Sequence, residues 1–454
     1  MPEVPVKIYI DKLLKHCRNA VRETALLSGA VKDKALRAMA GRVAEEREKI
    51  LAANEEDVEA VGKSLAGETN RDRVREAVKR VRMTPDDVKE IVERLRMLAD
   101  LPDPVGEITN RHEESNGMQV NLVRVPIGVV GIISEMRPFV TAESIAICLK
   151  SGNVGVFRGS PEWNRTHHVL AGIFSQCAEE AGMPPGVFSI VERPEKEVAL
   201  ELIRAGKALD AIVPRGGAGL RKAVLEQAKM PVLCHDGGIT HLYVDEGADI
   251  PMTQNIVVNS KAQSPAAANS VDTLLVHQVI ARPLLSALIL RLLDEFKIEV
   301  LGCPKTVALM GQMTMSGHKS VRPAEEEDWS RQFQSSTLTV KMVANMEEAL
   351  AHIAQHGPSH TCTIVTKSYE SARRFTREVD AGAVLVNAST RLSAGDSLGF
   401  GADMGMSVNR IHARGPIGPE HLTCEKYVVF GTGQLRQPHP VPLTYEDAIM
   451  LKRY

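Results

Sequence analysis

The 454 residues carry 55 basic and 57 acidic side chains, with 44% hydrophobic content and only 4% aromatics. So even a balance excludes a chain built mainly to grip nucleic acid or an anionic membrane surface, and the length supplies core for two or three domains. No run reaches the roughly 18 apolar residues that a membrane span needs, and Met1 to Lys15 lacks a basic-then-apolar leader, so a cytoplasmic protein is expected.

Cys17, Cys148, Cys177, Cys234, Cys303, Cys362 and Cys424 are scattered and contain no Cys-x-x-Cys pair. They read as reduced thiols, and no metal site is expected from them or from the neighbouring His167-His168.

From Val6 to Leu101 the chain is charged and helical in period, with Leu36, Met39, Ala40, Val43 and Ile50 on one face. Thr84-Pro85-Asp86-Asp87 is a helix start: a capping hydroxyl, proline at the first helical position, and acids in the first turn. Asn110 to Asn116 is polar and turn-rich, and Met118 to Val125 alternates as a strand of a projecting hairpin. After Pro126 the period changes to strand-helix alternation, which predicts an α/β fold with parallel sheets covered by helices. Strands are expected at 128–133, 153–157, 188–191 and 209–213, and helices at 141–150, 163–181 and 195–205.

The strand ending at Val213 runs into Pro214-Arg215-Gly216-Gly217-Ala218-Gly219. A glycine turn between strand and helix exposes amides to a phosphate at a helix N-terminus, and Arg215 adds a full charge. The spacing is not that of the dinucleotide fingerprint, and the same turn serves equally well as a plain connection. Downstream, Asn255 to His277 reads as a short helix, a nearly side-chain-free corner through Ser264-Pro265 and three alanines, and a strand from Val271. The corner suits close approach of backbone to a ligand, or simply tight packing. Further helices are expected at 281–296, 346–356 and 369–379, strands at 338–342, 361–366 and 383–386, and a late strand at 426–431.

Several motifs fall in order along nearly the whole chain: Arg124-Val-Pro-Ile-Gly128, Cys148-Leu-Lys-Ser-Gly-Asn153, Val213-Pro-Arg-Gly-Gly-Ala-Gly-Leu220, His241-Leu-Tyr-Val-Asp245, Val386-Asn-Ala-Ser-Thr-Arg391 and His412-Ala-Arg-Gly-Pro416. Together they resemble the γ-glutamyl phosphate reductase family of the aldehyde dehydrogenase superfamily. The resemblance implies a Rossmann-type cofactor domain (1–106 and 126–253), an α/β catalytic domain (254–416), an oligomerisation arm (107–125 and 417–436) and a tail (437–454). It also implies a homo-oligomer and NADPH-dependent reduction of L-glutamate 5-phosphate to the semialdehyde in proline biosynthesis. In that family a cysteine thiolate displaces phosphate and hydride then reduces the thioester.

Where the resemblance implies that cysteine, this chain has Ala268. The family's oxyanion asparagine corresponds to Phe139, whose ring is expected to crowd the substrate carbonyl, an arginine to Ser264, and a ribose-binding glutamate to Gln332. A cysteine before His241 corresponds to Thr240, and an aspartate after Thr361 to Cys362. An exchange of one cysteine accounts for Ala268 but not for the others. Loss of an oxyanion donor costs about 2.7–4 kcal/mol, and loss of a covalent nucleophile about a millionfold in rate. Greatly reduced or lost activity is therefore expected, and Ala268→Cys alone is not expected to restore it. The alternative is a non-catalytic paralogue that binds glutamate 5-phosphate or partners glutamate 5-kinase. Cys234 is the one substitute nucleophile considered. Implied cofactor contacts are Arg158, Gly159, Arg215, Gly216, Gly217 and Gln332, with NADPH binding weakened at Gln332; implied substrate contacts are Arg137, His241, Asn387, Thr390 and Arg391.

Overall fold

The computed structural model describes residues 4–68, 70–233, 237–311, 321–357 and 359–434. Cys234 and the tail from 437 to 454 therefore lie outside the described residues.

Five helices between Val6 and Asp100 wrap a parallel sheet of four strands, ordered Phe188–Ile190, Val154–Arg158, Val129–Ser134, Ala211–Arg215. The helix Pro85–Asp100 begins as its sequence demands: Thr84 accepts from the Asp87 amide and the Asp87 carboxylate accepts from the Thr84 amide, which closes a capping box. Its apolar stripe, Val88, Ile91, Leu95 and Leu98, is buried together with Leu36, Met39 and Val43 of the helix Gly29–Glu45. Because helices cover both faces, the strand Val129–Ser134 is buried at every position, as a parallel strand should be.

A second parallel sheet has seven strands, ordered Arg322–Pro323, Glu299–Gly302, Thr337–Val343, Thr273–His277, Ile239–Val244, Ser359–Val365, Ala381–Val386. The helix Gln278–Asp294 lays Leu284, Leu285, Leu288 and Leu292 on one face of it. The strand Ile239–Val244 pairs with Thr273–His277 and Ser359–Val365, so these residues, expected in the cofactor domain, belong to the second sheet. The strand is buried at every position, as a strand flanked on both sides in a parallel sheet should be.

A separate antiparallel sheet joins Ile108–Glu113, Gln119–Pro126 and Thr423–Phe430. The start of the polar, turn-rich stretch expected at 110–116 is thus the end of a strand, Ile108–Glu113, with all six residues exposed. An edge strand on a projecting ribbon needs no apolar face, so the polar composition concealed it.

Candidate functional site

The carboxyl ends of the four-stranded sheet face the corner between the helix Ile250–Ala262 and the strand Thr273–His277, enclosing a cavity of about 670 Å³. Strand carboxyl ends are where open α/β sheets bind ligands. The lining includes Arg215, Gly216 and Gly217 on one side and Ala267, Ala268 and Gln332 on the other. The glycine turn and the corner, more than forty residues apart in the chain, are thus brought together.

Local hydrogen bonds fix the corner. The Ala268 carbonyl accepts from the Thr240 hydroxyl at 3.2 Å and from Gln332 Nε2 at 3.3 Å. Asn269 Nδ2 donates to the carbonyls of Arg391 and Ser393, and Thr390 Oγ1 donates to the Asn269 carbonyl. Thr390 and Arg391 therefore position the loop and do not line the cavity. Arg391 Nε is bonded to Gln263 Oε1 at 2.6 Å.

On the opposite wall, Gly217 is the N-cap of the helix Ala218–Gln227 and has no side chain to cap with. Its amide donates to Glu135 Oε2 at 3.3 Å. A Cβ on Gly216 would lie 2.6 Å from that oxygen, at the end of an exposed side chain, and 2.9 Å from Leu220 Cδ2. Arg215 Nη1 donates to the Met404 carbonyl, and the carboxylates of Asp403 and Glu143 counter the burial that lowers its guanidinium. Arg215 is therefore a clasp across the cavity as well as a charge in its wall. Asp403 accepts from the amides of Gly395 and Gly405 and so closes the glycine-dense segment behind it. Burial raises Glu143 to about 7, opposed by Arg94, which donates to it at 2.7 Å.

The remaining predicted residues lie outside the lining. Phe139 packs against the helical core beside Met83 and Trp163 and does not line the cavity. An aromatic ring gains most from an apolar wall, and the helical layer supplies one. Arg137 is half exposed and pairs with Asp87 at 3.7 Å. His241 is fully buried, with neither ring nitrogen partnered, edge-on to His352 at 5.9 Å between centroids. Asn387, at φ 54°, is bonded to both the amide and the carbonyl of Thr366, tying two strand ends together. Arg158 donates to the Pro194 carbonyl, and the space a Cβ on Gly159 would need is filled by His167.

Arg221, Met136, Gln334, His360, Ser393 and Asp403 line the cavity without having been singled out. Arg221 was findable, since it lies one helical turn past the glycine turn and donates back to the Gly216 carbonyl at 3.2 Å. Glu135 was findable as the first residue after a buried strand. Among the described residues no group of His, Cys, Asp or Glu could hold a metal ion. None of the described cysteines lines the cavity, and burial pushes Cys362 up to about 12. No described helix is long and apolar enough to cross a membrane.

A profile of the aldehyde dehydrogenase family matches residues 10–299. The chain is 41% identical over 422 residues to a gamma-glutamyl phosphate reductase of Heliobacterium modesticaldum, covering 93% of this chain and 97% of that protein. It is 41% identical over 423 residues to the same-named protein of Moorella thermoacetica, at 93% and 97% coverage. The crystal structure of gamma-glutamyl phosphate reductase from Thermotoga maritima superposes with a TM-score of 0.86 at 34% identity, covering 94% of this chain and 100% of that one.

Proposed function

The chain belongs to the gamma-glutamyl phosphate reductase family, within the aldehyde dehydrogenase family, and from that premise we propose that it binds NADPH and an acyl phosphate of the glutamate 5-phosphate type but turns them over far more slowly than the family reaction requires, or not at all. The observation that carries the reading is Ala268: the loop facing the glycine turn places a methyl group, and no thiol, in the cavity wall. Without a sulfur to displace phosphate, no acyl-enzyme forms, and the expected loss is on the order of a millionfold.

The residues present fit a dinucleotide in outline. The amide of Gly217 already faces an anion, Gly216 leaves room for a close approach, and Arg215 and Arg221 supply positive charge in the same wall. The cofactor, when bound, supplies hydride. The protein's own share is to hold the phosphates at the turn, to keep the corner rigid through Thr240, Gln332 and Thr390, and to exclude water between the two units.

Gln332 differs from the expected ribose contact. Its amide nitrogen holds the Ala268 carbonyl, which leaves only Oε1, uncharged, to accept a hydroxyl. NADPH binding is therefore weaker than in a protein with an acid there. As a non-catalytic member the chain would act by sequestering the acyl phosphate or by associating with the kinase that makes it.

Titration calorimetry with NADPH and NADH tests the binding half of the reading. Micromolar-range NADPH binding is the expected result. Tight NADH binding with none for NADPH would show that the phosphate contacts are misplaced.

A further inference from the structure

His360 enters the cavity wall through an irregularity of its strand. Where Ser359–Val365 pairs with Ile239–Val244, Ser359 faces Ile239 and Thr361 faces Thr240, so His360 is one residue too many for its neighbour, a bulge in the ladder. Bulges recur beside active sites because the added residue re-aims a side chain. His360 is 3% exposed and lines the cavity together with Ala268. The two are tied through one rung of the sheet: Thr240, opposite Thr361, donates its hydroxyl to the Ala268 carbonyl.

A chain of hydroxyls fixes which nitrogen of the ring holds the proton. Ser393 Oγ donates to the Thr390 carbonyl at 2.8 Å, which uses its one hydrogen. Toward Thr361 Oγ1, 2.7 Å away, it is therefore the acceptor, and the Thr361 hydrogen goes to Ser393. Thr361 Oγ1 lies 2.8 Å from His360 Nδ1 and must accept in its turn. Nδ1 thus carries the hydrogen, and in the neutral ring Nε2 carries the lone pair. An imidazole held in one tautomer by an orienting partner is what general-base catalysis requires.

We propose that His360 is a general base for hydrolysis of an acyl phosphate, a reaction that needs neither the missing thiol nor NADPH. The proposal rests on the reading above that the cavity takes an acyl phosphate. With no thiol at Ala268, the nucleophile is water. Its oxygen bonds to the acyl carbon while a proton passes to His360 Nε2, the bond from that carbon to the bridging oxygen breaks, and phosphate departs. The imidazolium then returns its proton to solvent. The products are a carboxylate and inorganic phosphate, and nothing is oxidised or reduced. Arg221, in the same lining, supplies positive charge to the departing phosphate.

The test uses butyryl phosphate, an acyl phosphate that cannot cyclise, and 2-oxopentylphosphonate, in which a methylene replaces the bridging oxygen so that no phosphate leaves. Phosphate release by the full chain is expected at roughly 100-fold or more above the uncatalysed rate, the scale of a positioned base. The rate should rise with pH as the imidazole loses its proton. His360→Asn keeps a donor for Thr361 and removes the base, so release should fall to the uncatalysed rate while calorimetry still shows the phosphonate bound. Thr361→Val frees the tautomer and should lower kcat with KM unchanged. Uncatalysed release by the unaltered chain with the phosphonate bound would overturn the proposal and leave the acyl phosphate reading in place; with no phosphonate bound, both would fall. Undiminished release by a folded His360→Asn, or a rate in the unaltered chain that does not change from about pH 5 to about pH 8, would also overturn it.

Discussion

Gln332 donates its amide hydrogen to the carbonyl of Ala268 at 3.3 Å, so the two residues that stand where the family resemblance implies a glutamate and a cysteine are bonded to each other. The corner that carries Ala268 is thus braced by a group that a glutamate could not replace, since a carboxylate has no hydrogen to donate.

Gln332→Glu is expected to destabilise the chain. It removes the donor and sets a carboxylate against a carbonyl oxygen already bonded to Thr240, at a cost of about 1–3 kcal/mol. A thermal melt should show a lower Tm than the unaltered chain. An equal or higher Tm would mean that the bond contributes nothing to the corner.

Acid should weaken the fold through buried histidine. Burial holds His241 down to about 3, and burial with Lys341 holds His352 down to about 2, both far below the 6.5 of a free imidazole. The unfolded chain therefore takes up protons first. The stability contributed by these neutral rings is complete above about pH 6.5 and declines as the pH falls toward the folded values. Urea midpoints should drop from about pH 7.5 to about pH 5, and less steeply in His241→Leu. A slope identical in the two proteins would remove His241 from the account.

The antiparallel sheet should mediate self-association. Its outer strand, Thr423–Phe430, leaves Tyr427 at 72%, Val429 at 49% and Phe430 at 61% exposure. Side chains of that size clustered on an open edge are covered in most soluble proteins. Light scattering at micromolar concentration should report a dimer or larger species, shifted toward monomer by Tyr427→Lys with Val429→Lys. A monomeric unaltered chain would contradict this.

Much of the fold was legible because its elements satisfy local rules. The capping box at Thr84, the all-apolar strand at Val129–Ser134 and the glycine closing the helix at Gly182, φ 100°, each specify one outcome. The polar strand Ile108–Glu113 was not legible, because exposure on both faces erases alternation. The candidate site was legible in its two poles, the glycine turn and the alanine corner, but not in its braces. Thr390 and Arg391 sit in a 3-10 turn after the strand Ala381–Val386 and meet the corner through hydrogen bonds with Asn269, and a ligand contact and a loop brace are the same polar residue in a sequence. Phe139, which the resemblance set at the oxyanion position, packs its ring against the apolar helical layer beside Trp163, a choice that no local pattern in the sequence signals.

The most direct measurement of the central claim is NADPH oxidation with freshly generated glutamate 5-phosphate, run on the unaltered chain, Ala268→Cys and Cys234→Ala. Bound NADPH without turnover is expected in the unaltered chain, and an Ala268→Cys variant is expected to stay orders of magnitude below an intact relative. Family-level turnover by the unaltered chain would contradict that expectation, and abolition of that turnover in Cys234→Ala would assign the nucleophile to Cys234.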